Sequence, residues 1–347
     1  MIRLSWLQFR TQAVTAAAAL AAFAVLLAVT GPHLASQYAA SGLGSCHGGN
    51  CGSVANTFLS QLQATSTYPV VYLLGIALIL FAPAIIGIFW GAPLIAREVE
   101  TRTSVLAWTQ SITRTRWLVV KLTLTGLAAM AVTEALSLMY AWWADPIGKA
   151  IDLGGSTSLF SGDRFSSLAF ATHGITPLGY AAFAFTLGTA AGALIRRTVP
   201  AMAVTLVIFA AAQVAMPLWV RPHLIPPDRT IAAIGPVPGD NQAVGLDYGN
   251  LTAVAVPGQP GAWIISSGAI NPAGQQVTTL PATCAGAAGA KADSPGQCLN
   301  SQGYREAISY EPASRYWPLQ WIETGIFLGL ALGLAGCCFW RLNRRRS

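Results

Sequence analysis

The pattern of apolar and polar positions is dominated by six long hydrophobic stretches that are almost free of charge. They lie at residues 13–30, 70–94, 117–142, 166–195, 198–219 and 319–340. A helix needs about 20 mostly apolar residues to cross the hydrocarbon core of a bilayer. Each stretch therefore predicts a transmembrane helix. Because only "RRT" separates the fourth stretch from the fifth, these two predict a tight helical hairpin.

The composition supports a membrane protein. Charged residues make up 10% of the chain and hydrophobic residues 54%, whereas soluble proteins contain about 25% charged residues. So few charges cannot cover the surface of a water-soluble fold. The predicted fold class is an all-α polytopic membrane protein with six transmembrane helices.

The basic residues predict the orientation in the membrane. Of the 20 Lys and Arg residues, 13 fall at the two termini, in the loop after the second helix and in the "RRT" turn. Short loops rich in Lys and Arg stay on the cytoplasmic side. We therefore predict a multi-pass protein of the plasma (cell) membrane with cytoplasmic N and C termini. The net charge of +7 follows from this topology, and the scattered basic residues do not indicate nucleic-acid binding.

The segment 220–318 predicts a small domain outside the cytoplasm, before the last helix. It contains the turn signals "RPHLIPPDRT", "GPVPGDNQ" and "PGQPGAW". Between and after these signals, "LTAVAV", "AWIIS" and "QQVTTL" are typical of short strands. The predicted organisation is a membrane part at 1–219, an irregular, β-containing extracytoplasmic domain at 220–318, and the last helix with a basic tail at 319–347.

The N-terminal segment "IRLSWLQFR" has apolar residues at helical spacing with Arg3 and Arg10 beside them. This pattern predicts a short helix lying in the membrane interface. A basic segment before an apolar run is also compatible with a signal peptide. The run is long, however, and "HLASQ" is a poor cleavage site.

Four cysteines fall in the predicted outside segments: Cys46, Cys51, Cys284 and Cys298. An even number of cysteines in an oxidising compartment favours disulfides. The simplest of the three connectivities joins Cys46 to Cys51 and Cys284 to Cys298. Free thiols are the alternative, as is a metal site in "GSCHGGNCG" with His47 as a further ligand.

No catalytic motif appears in the sequence. A nucleotide-binding loop needs glycines and a lysine around the phosphates, in the pattern G-x-x-x-x-G-K-[ST], and this pattern is absent. Zinc-protease patterns and the G-x-S-x-G nucleophile elbow are absent as well. The chain is therefore not predicted to be an enzyme, and no cofactor is expected in it.

The loop after the second helix, residues 97–116, carries the most informative pattern. With the start of the third helix it reads "REVETRTSVLAWTQSITRTRWLVVK", with seven charged residues and two tryptophans. Thr103 is a favourable N-cap, and a short helix from it places Val105, Leu106 and Trp108 on one face. A solvated loop or a topology anchor does not need such an apolar face. The pattern favours docking of a protein partner.

This stretch resembles the coupling region of permeases of ATP-binding-cassette (ABC) exporters of the second type. The matching residues are Glu98, Glu100, Thr103, Ser111, Arg114 and Lys121. The chain departs from many members at Arg102, where they carry glycine. Two further blocks, residues 173–206 and 310–327, resemble an actinobacterial branch of these permeases. The resemblance covers all six spans in order.

The resemblance implies a mechanism and partners. Two permeases, identical copies or paralogues, form a path through the lipid bilayer, and each docks on one of two separate ATPase subunits that bind ATP and Mg. The residues implied in coupling are Arg97, Glu98, Glu100, Thr103, Val105, Leu106, Trp108, Ser111, Arg114 and Lys121. The apolar three would fit a groove on the ATPase, with Glu98, Glu100 and Arg114 at its rim. The implied function is efflux of amphiphilic small molecules such as drugs or antibiotics.

Two acidic residues fall inside the predicted spans, Glu134 and Glu323. A carboxylate within a membrane is costly and marks a candidate functional residue. Both are therefore candidates for lining the substrate path. The alternative is a structural role, in which each bonds to a neighbouring helix or to an interfacial Trp or Arg.

A second function class stays open. The chain is alternatively a membrane-anchored binding or sensory protein that takes up a ligand with the 220–318 domain. Such a protein has no use for an apolar coupling surface on the loop at 97–116. An ATPase subunit that binds the chain would discriminate between the two classes.

Overall fold

The computed structural model describes residues 2–46, 51–100, 114–160, 165–234, 244–247, 250–253, 261–277, 281, 284 and 295–344. Six of its helical segments are long and apolar enough to cross a membrane. They cover Phe9–Ala40, Thr67–Arg97, Val119–Asp152, Thr176–Ile195, Thr198–His223 and Ala313–Trp340. The six predicted spans are confirmed as helices, and the chain is a mostly helical, multi-pass membrane protein.

The first two spans belong to a run of four helices. Helix α1 is Ile2–Ala40, and α2, Cys51–Ala64, follows a 3₁₀ turn at Leu43–Ser45. Helix α3 is Thr67–Ile86 and continues through a π turn, Gly87–Gly91, into α4, Ala92–Glu100. The predicted separate interfacial helix is corrected here, because residues 2–12 form the start of one uninterrupted α1. The segment between the first two predicted spans, residues 31–69, is also largely helical, because it contains the end of α1, all of α2 and the start of α3.

The remaining spans follow the connector. Helix α5 is Arg114–Asp152, α6 is Ser167–Thr172, α7 is Thr176–Ile195 and α8 is Thr198–Ala215. A π turn, Met216–Val220, and a 3₁₀ turn, Arg221–His223, extend α8. The predicted fourth span at 166–195 is divided into α6 and α7, since Gly174 adopts a left-handed φ of 72° between them.

A small β domain lies between α8 and the last helix. Its strands are β1 Asp228–Ala233, β2 Val244–Asp247, β3 Asn250–Ala253, β4 Trp263–Ile270, β5 Gln276–Val277 and β6 Arg305–Glu311. They form a four-stranded antiparallel sheet in the order β1-β6-β4-β5 and a separate β2-β3 pair. Helix α9 is Pro295–Ser301, and α10, Tyr316–Arg344, follows β6 through a 3₁₀ turn at Ala313–Arg315.

The β-containing domain was therefore predicted in the right place. Strands β3, β4 and β5 overlap the three predicted strand segments, while β1, β2, β6 and α9 were not predicted. We call the end of the helix bundle next to this domain the sheet end. The opposite end, where α4 stops and α5 starts, is the connector end.

Helix α7 forms the centre of the bundle. In its most apolar window, 72% of the residues are buried, against 11% for α1 and 22% for α8. Its neighbours include α3, α4, α5, α8 and α10. The aromatic side chains Tyr180, Phe183 and Phe185 and a series of alanines fill its contacts. The other spans leave many apolar side chains on the outside, as expected where lipid surrounds the protein.

Candidate functional site

The predicted coupling segment lies at the connector end, between α4 and α5. Residues 101–113 fall outside the described residues, so the predictions for Thr103, Val105, Leu106, Trp108 and Ser111 lie there too. The backbones of Glu98 and Arg114 are helical, at the last turn of α4 and the first residue of α5. Arg97 is exposed on α4. Thus the structure defines the two helices that flank the segment.

Glu100, the last residue of α4, caps the neighbouring helix α8. Its Oε1 accepts a hydrogen bond from the backbone N–H of Thr198 at 3.0 Å, and its Oε2 accepts one from the Thr198 hydroxyl at 2.6 Å. These two bonds from Thr198 lower the pKa of the Glu100 carboxyl, and the charge of Arg197 contributes. A carboxylate also suits the positive end of a helix dipole. Glu100 therefore joins the start of the connector to the α7–α8 hairpin.

Lys121 is buried, unlike an exposed residue at the rim of a docking surface. Its side chain is 6% exposed in the second turn of α5. The next residue, Leu122, belongs to a core cluster with Phe9 of α1 and Phe185 of α7. The α5 flank of the connector is thus anchored in the bundle.

The α4 flank is attached to α7 by direct contact between the two backbones. A Cβ on Gly188 would overlap the carbonyl oxygen of Gly87 and lie 2.8 Å from the backbone nitrogen of Ala92. A Cβ on Gly91 would lie 2.5 Å from the carbonyl oxygen of Phe185. Glycine is thus required wherever the helices approach this closely. We call this contact of Gly87, Gly91, Gly188 and Gly192 the glycine seam.

The π turn between α3 and α4 has a polar partner of its own. Gln12 of α1 donates a hydrogen bond from Nε2 to the carbonyl oxygen of Phe89 at 3.3 Å. The ring of Trp90 in the same turn packs edge-on against Phe9 of α1, with centroids 5.0 Å apart. A π turn inserts an extra residue into a helix and is frequent at functional sites. Here the π turn sets the direction of α4 and therefore the position at which the connector begins.

Glu134 lies halfway along α5 and is partly buried. It shares a helical stripe with Leu127, Ala131 and Leu138, which are all exposed. Its Oε2 is buried and has no hydrogen-bond partner among the described residues. Glu134 thus lies beside an outer, apolar face of the bundle, with one of its carboxylate oxygens buried.

Glu323 has a different position, because it is enclosed between three helical segments. Arg221, just after α8, donates from Nε to Oε2 at 2.9 Å and from Nη2 to Oε1 at 3.2 Å. The hydroxyl of Tyr180 on α7 donates to Oε1 at 2.5 Å. Both charged side chains are 0% exposed. This environment supports the structural alternative for Glu323, a bond to a neighbouring helix and to an arginine.

Gln320, one turn before Glu323 on α10, forms hydrogen bonds with the backbone at the break between α6 and α7. Its Oε1 accepts bonds from the backbone N–H of Thr176 at 3.1 Å and from the Thr176 hydroxyl. Its Nε2 donates to the carbonyl oxygens of Phe170 and His173, each at 3.1 Å. Because the helix is interrupted there, these backbone groups have no partner within a helix. The side chain of Gln320 forms their hydrogen bonds instead.

Both predicted disulfide pairs are present. Cys46 is bonded to Cys51, and Cys284 to Cys298, with Cα–Cα distances of 5.8 Å in each pair. The sulfurs are therefore not free to bind a metal. The first pair joins the end of the α1 segment to the start of α2, and the second fastens α9 to the β domain.

Sequence reasoning missed Arg221, Tyr180, Gln320 and the cap between Glu100 and Thr198. One signal was available for Arg221. A glutamate at membrane depth in the last span needs a buried cation, and Arg221 is the basic residue that follows the fifth span directly. The tyrosine and glutamine had no comparable signal, since either residue type is also common at a membrane interface.

Comparison with protein families gives one match. The family model described as ABC-2 membrane transporter related matches residues 17–221. The match covers five of the six spans and the connector between the second and third. Comparisons with curated proteins and with solved structures find no match. The chain therefore belongs to the family of ABC-2 membrane transporter related proteins, and it is an ABC-2 type permease, the membrane subunit of a transporter whose partner is an ABC ATPase.

Proposed function

We propose that this permease is half of an exporter and that it couples to its ATPase through residues 97–116. The apolar face of Val105, Leu106 and Trp108 docks in a groove of the ATPase, and Glu98 and Arg114 contact the rim of that groove. Arg97 and Ser111 lie in the same docking segment, at its entry and exit. ATP and Mg are bound by the ATPase. The connector end then faces the cytoplasm, and the β domain lies outside.

The observation that supports this proposal most is the close packing of the two helices that flank the connector. Helix α4 meets the central helix α7 at the glycine seam, where backbone atoms touch directly. Glu100 adds a bond to α8, and Lys121 is buried at the α5 flank. Packed interiors transmit strain because they contain few voids. A displacement at the end of α4 would therefore reach α7 through packed backbone atoms.

The proposed cargo is an amphiphilic small molecule, with a preference for molecules that carry a positive charge. Glu134 lies on an outer face of α5 among exposed apolar side chains. A carboxylate within the membrane is costly, so we assign this face to the substrate path that the permease forms with a second permease. Glu323 is assigned a structural role, because Arg221 neutralises it.

The test is an affinity measurement with a matched control. The full chain is purified in mild detergent, the ATPase subunit that accompanies it is identified by mass spectrometry, and its affinity is measured by titration. A central aromatic of an interface contributes about 2 kcal/mol or more, so Trp108→Ala should weaken binding at least about 30-fold. Trp219→Ala is the control, since Trp219 is an exposed tryptophan on the extension of α8.

Trp219→Ala should bind the ATPase as the unmodified chain does. Equal affinity of the Trp108→Ala variant would refute docking through this face. Purification without any ATPase, under conditions that keep another ABC transporter intact, would contradict the proposed docking through residues 97–116.

A further inference from the structure

The β domain is inserted between two spans, and the strands that enter and leave it pair with each other. The extension of α8 ends at His223, and only residues 224–227 separate it from β1. Strand β6 leads through Pro312 and one 3₁₀ turn into α10. Strands β1 and β6 are antiparallel neighbours, with Asp228 opposite Tyr310. The ladder therefore joins α8 to α10 just beyond the membrane.

Arg315 reinforces this junction from the α10 side. Its Nη1 donates to the carbonyl oxygen of Pro226 at 3.0 Å and to Oε2 of Glu311 at 2.9 Å. Its Nη2 donates to Oδ1 of Asp228 at 2.7 Å. One side chain thus holds the segment after α8, the start of β1 and the end of β6.

A second link joins the same two spans inside the bundle. Arg221 and Glu323 form a two-bond ion pair with no exposed side-chain surface. A buried pair of this kind is strongly unfavourable to break, because each charge would be left uncompensated. Arg315, in the 3₁₀ turn that leads into α10, precedes Glu323 by eight residues, which corresponds to about 12 Å along a helix axis. Two links at this separation prevent α8 and α10 from turning about either one.

Aromatic rings connect the sheet to the same junction. Trp263 of β4 stacks on Phe165, with centroids 5.9 Å apart and an interplanar angle of 7°. Phe165 packs edge-on against Tyr316, the first residue of α10, at 5.6 Å. Phe170 lies under the guanidinium group of Arg221, 4.0 Å from Cζ to the ring centroid. Strand β4 is thereby seated on the ends of the helices.

We propose that the extension of α8, helix α10 and the four-stranded sheet form one rigid unit that moves as a whole during transport. The β domain is then an extension of α10, and its position relative to the other spans is set by the tilt of that helix. This inference rests on the proposed export function for its motion, whereas the rigidity of the unit is independent of it.

The test uses pairs of spin labels in the full chain, with Cys337 and Cys338 replaced by alanine and the disulfides kept. The first pair is placed at Ile231 of β1 and Leu332 of α10, which are 67% and 74% exposed. Without nucleotide, in lipid nanodiscs, we expect a single narrow distance distribution. Glu323→Gln and Arg315→Gln should each broaden it at least twofold.

Asp145→Asn is the matched control, since it removes an exposed ion pair with Lys149 on α5. It should leave the width unchanged. Arg315→Gln keeps the test decisive if Glu323→Gln does not fold, because Arg315 is partly exposed at the surface. A broad distribution in the unmodified chain, or a width that neither variant changes, would overturn the proposal.

The second part compares nucleotide-free and ATP-trapped complexes with the ATPase. The Ile231–Leu332 distance should stay the same, while a second pair, Val29 of α1 and Leu332, should change. A change of the first distance by more than one helical pitch, about 5.4 Å, would overturn the rigid unit. If neither distance changes, the export mechanism is contradicted, and the widths from the first part still decide the question of rigidity.

Discussion

The carboxyl group of Glu306 is buried in the β domain, away from water. It lies in the central strand β6, opposite Ala232 on one side and Ala269 on the other. Its side chain is 3% exposed, and Oε1 has no hydrogen-bond partner among the described residues. Burial raises the pKa of Glu306 from its ordinary 4.5 to about 7. The folded protein therefore holds a proton on this group that the unfolded chain releases at lower pH.

This shift predicts a pH dependence of stability. A raised pKa in the folded state contributes stability that is fully present below pH 4.5 and is lost as the pH rises through about 7. Replacing Glu306 with Gln keeps a neutral side chain of similar shape and removes the titration. We expect the unfolding temperature of the unmodified chain, relative to Glu306→Gln, to fall between pH 4.5 and 7 and then to level off.

Thermal unfolding of both purified chains in the same detergent, from pH 4 to 8, gives the difference directly. Effects of other groups cancel because the two chains share them. A difference that stays constant over this range would contradict the raised pKa.

At the scale of elements, the glycine seam is the contact that most limits substitution. Gly188 faces the backbone of Gly87 and Ala92 with no space for a side chain. Gly188→Ala should therefore force the α3–α4 segment away from α7 and cost about 1–3 kcal/mol of stability, as overpacking of a tight core does. The expected result is a lower unfolding temperature and weaker attachment of the connector.

Gly329→Ala on α10 is the matched control. Nothing lies within 4 Å of a Cβ at that position, and alanine is a better helix former than glycine. This variant should unfold at the same temperature as the unmodified chain or higher. Equal unfolding temperatures for Gly188→Ala and Gly329→Ala, measured side by side in detergent, would count against the seam.

The spans could be predicted from the sequence because the membrane imposes a simple rule. An apolar run of sufficient length has to be a helix there, so all six were found from hydrophobicity alone. The ends were less accurate, since α1 and α5 continue well past the apolar runs as helices outside the predicted spans. Polarity excludes a segment from the membrane but does not end a helix.

The candidate site was predictable only in part. The docking segment proposed between the second and third spans rests on the charge pattern and on the apolar face predicted from the sequence, and its central residues lie outside the described ones. The partners of Glu100, Gln320 and Glu323 could not be predicted from the sequence, because each bond joins residues about 100 or more positions apart. Hydrophobic periodicity specifies which face of a helix is buried and does not specify which helix lies against it.

At the scale of the whole molecule, the orientation in the membrane is a prediction that can be tested directly. The positive residues place both termini in the cytoplasm and the β domain outside. In a chain with Cys337 and Cys338 replaced by alanine, Ala273→Cys adds a thiol at the exposed turn between β4 and β5. A membrane-impermeant maleimide should label it in intact cells.

Ser347→Cys in the same background is the companion variant. It should be labelled only after the cells are made permeable, because the basic tail is predicted to be cytoplasmic. Labelling of the tail but not of the turn in intact cells would reverse the orientation, and with it the side on which the ATPase docks.

The length of helix α7 limits the bilayer thickness that matches this permease. It has 20 residues, and left-handed residues fix both boundaries, Gly174 shortly before it and Arg196 directly after it. Its length is thus about 30 Å, close to the thickness of a bilayer's hydrocarbon core. Because α7 is enclosed by its neighbours, it cannot tilt freely to match another thickness. The length of the buried helix α7 along the membrane normal is therefore fixed. A thinner or thicker bilayer must adapt to the protein through the longer helices at the periphery.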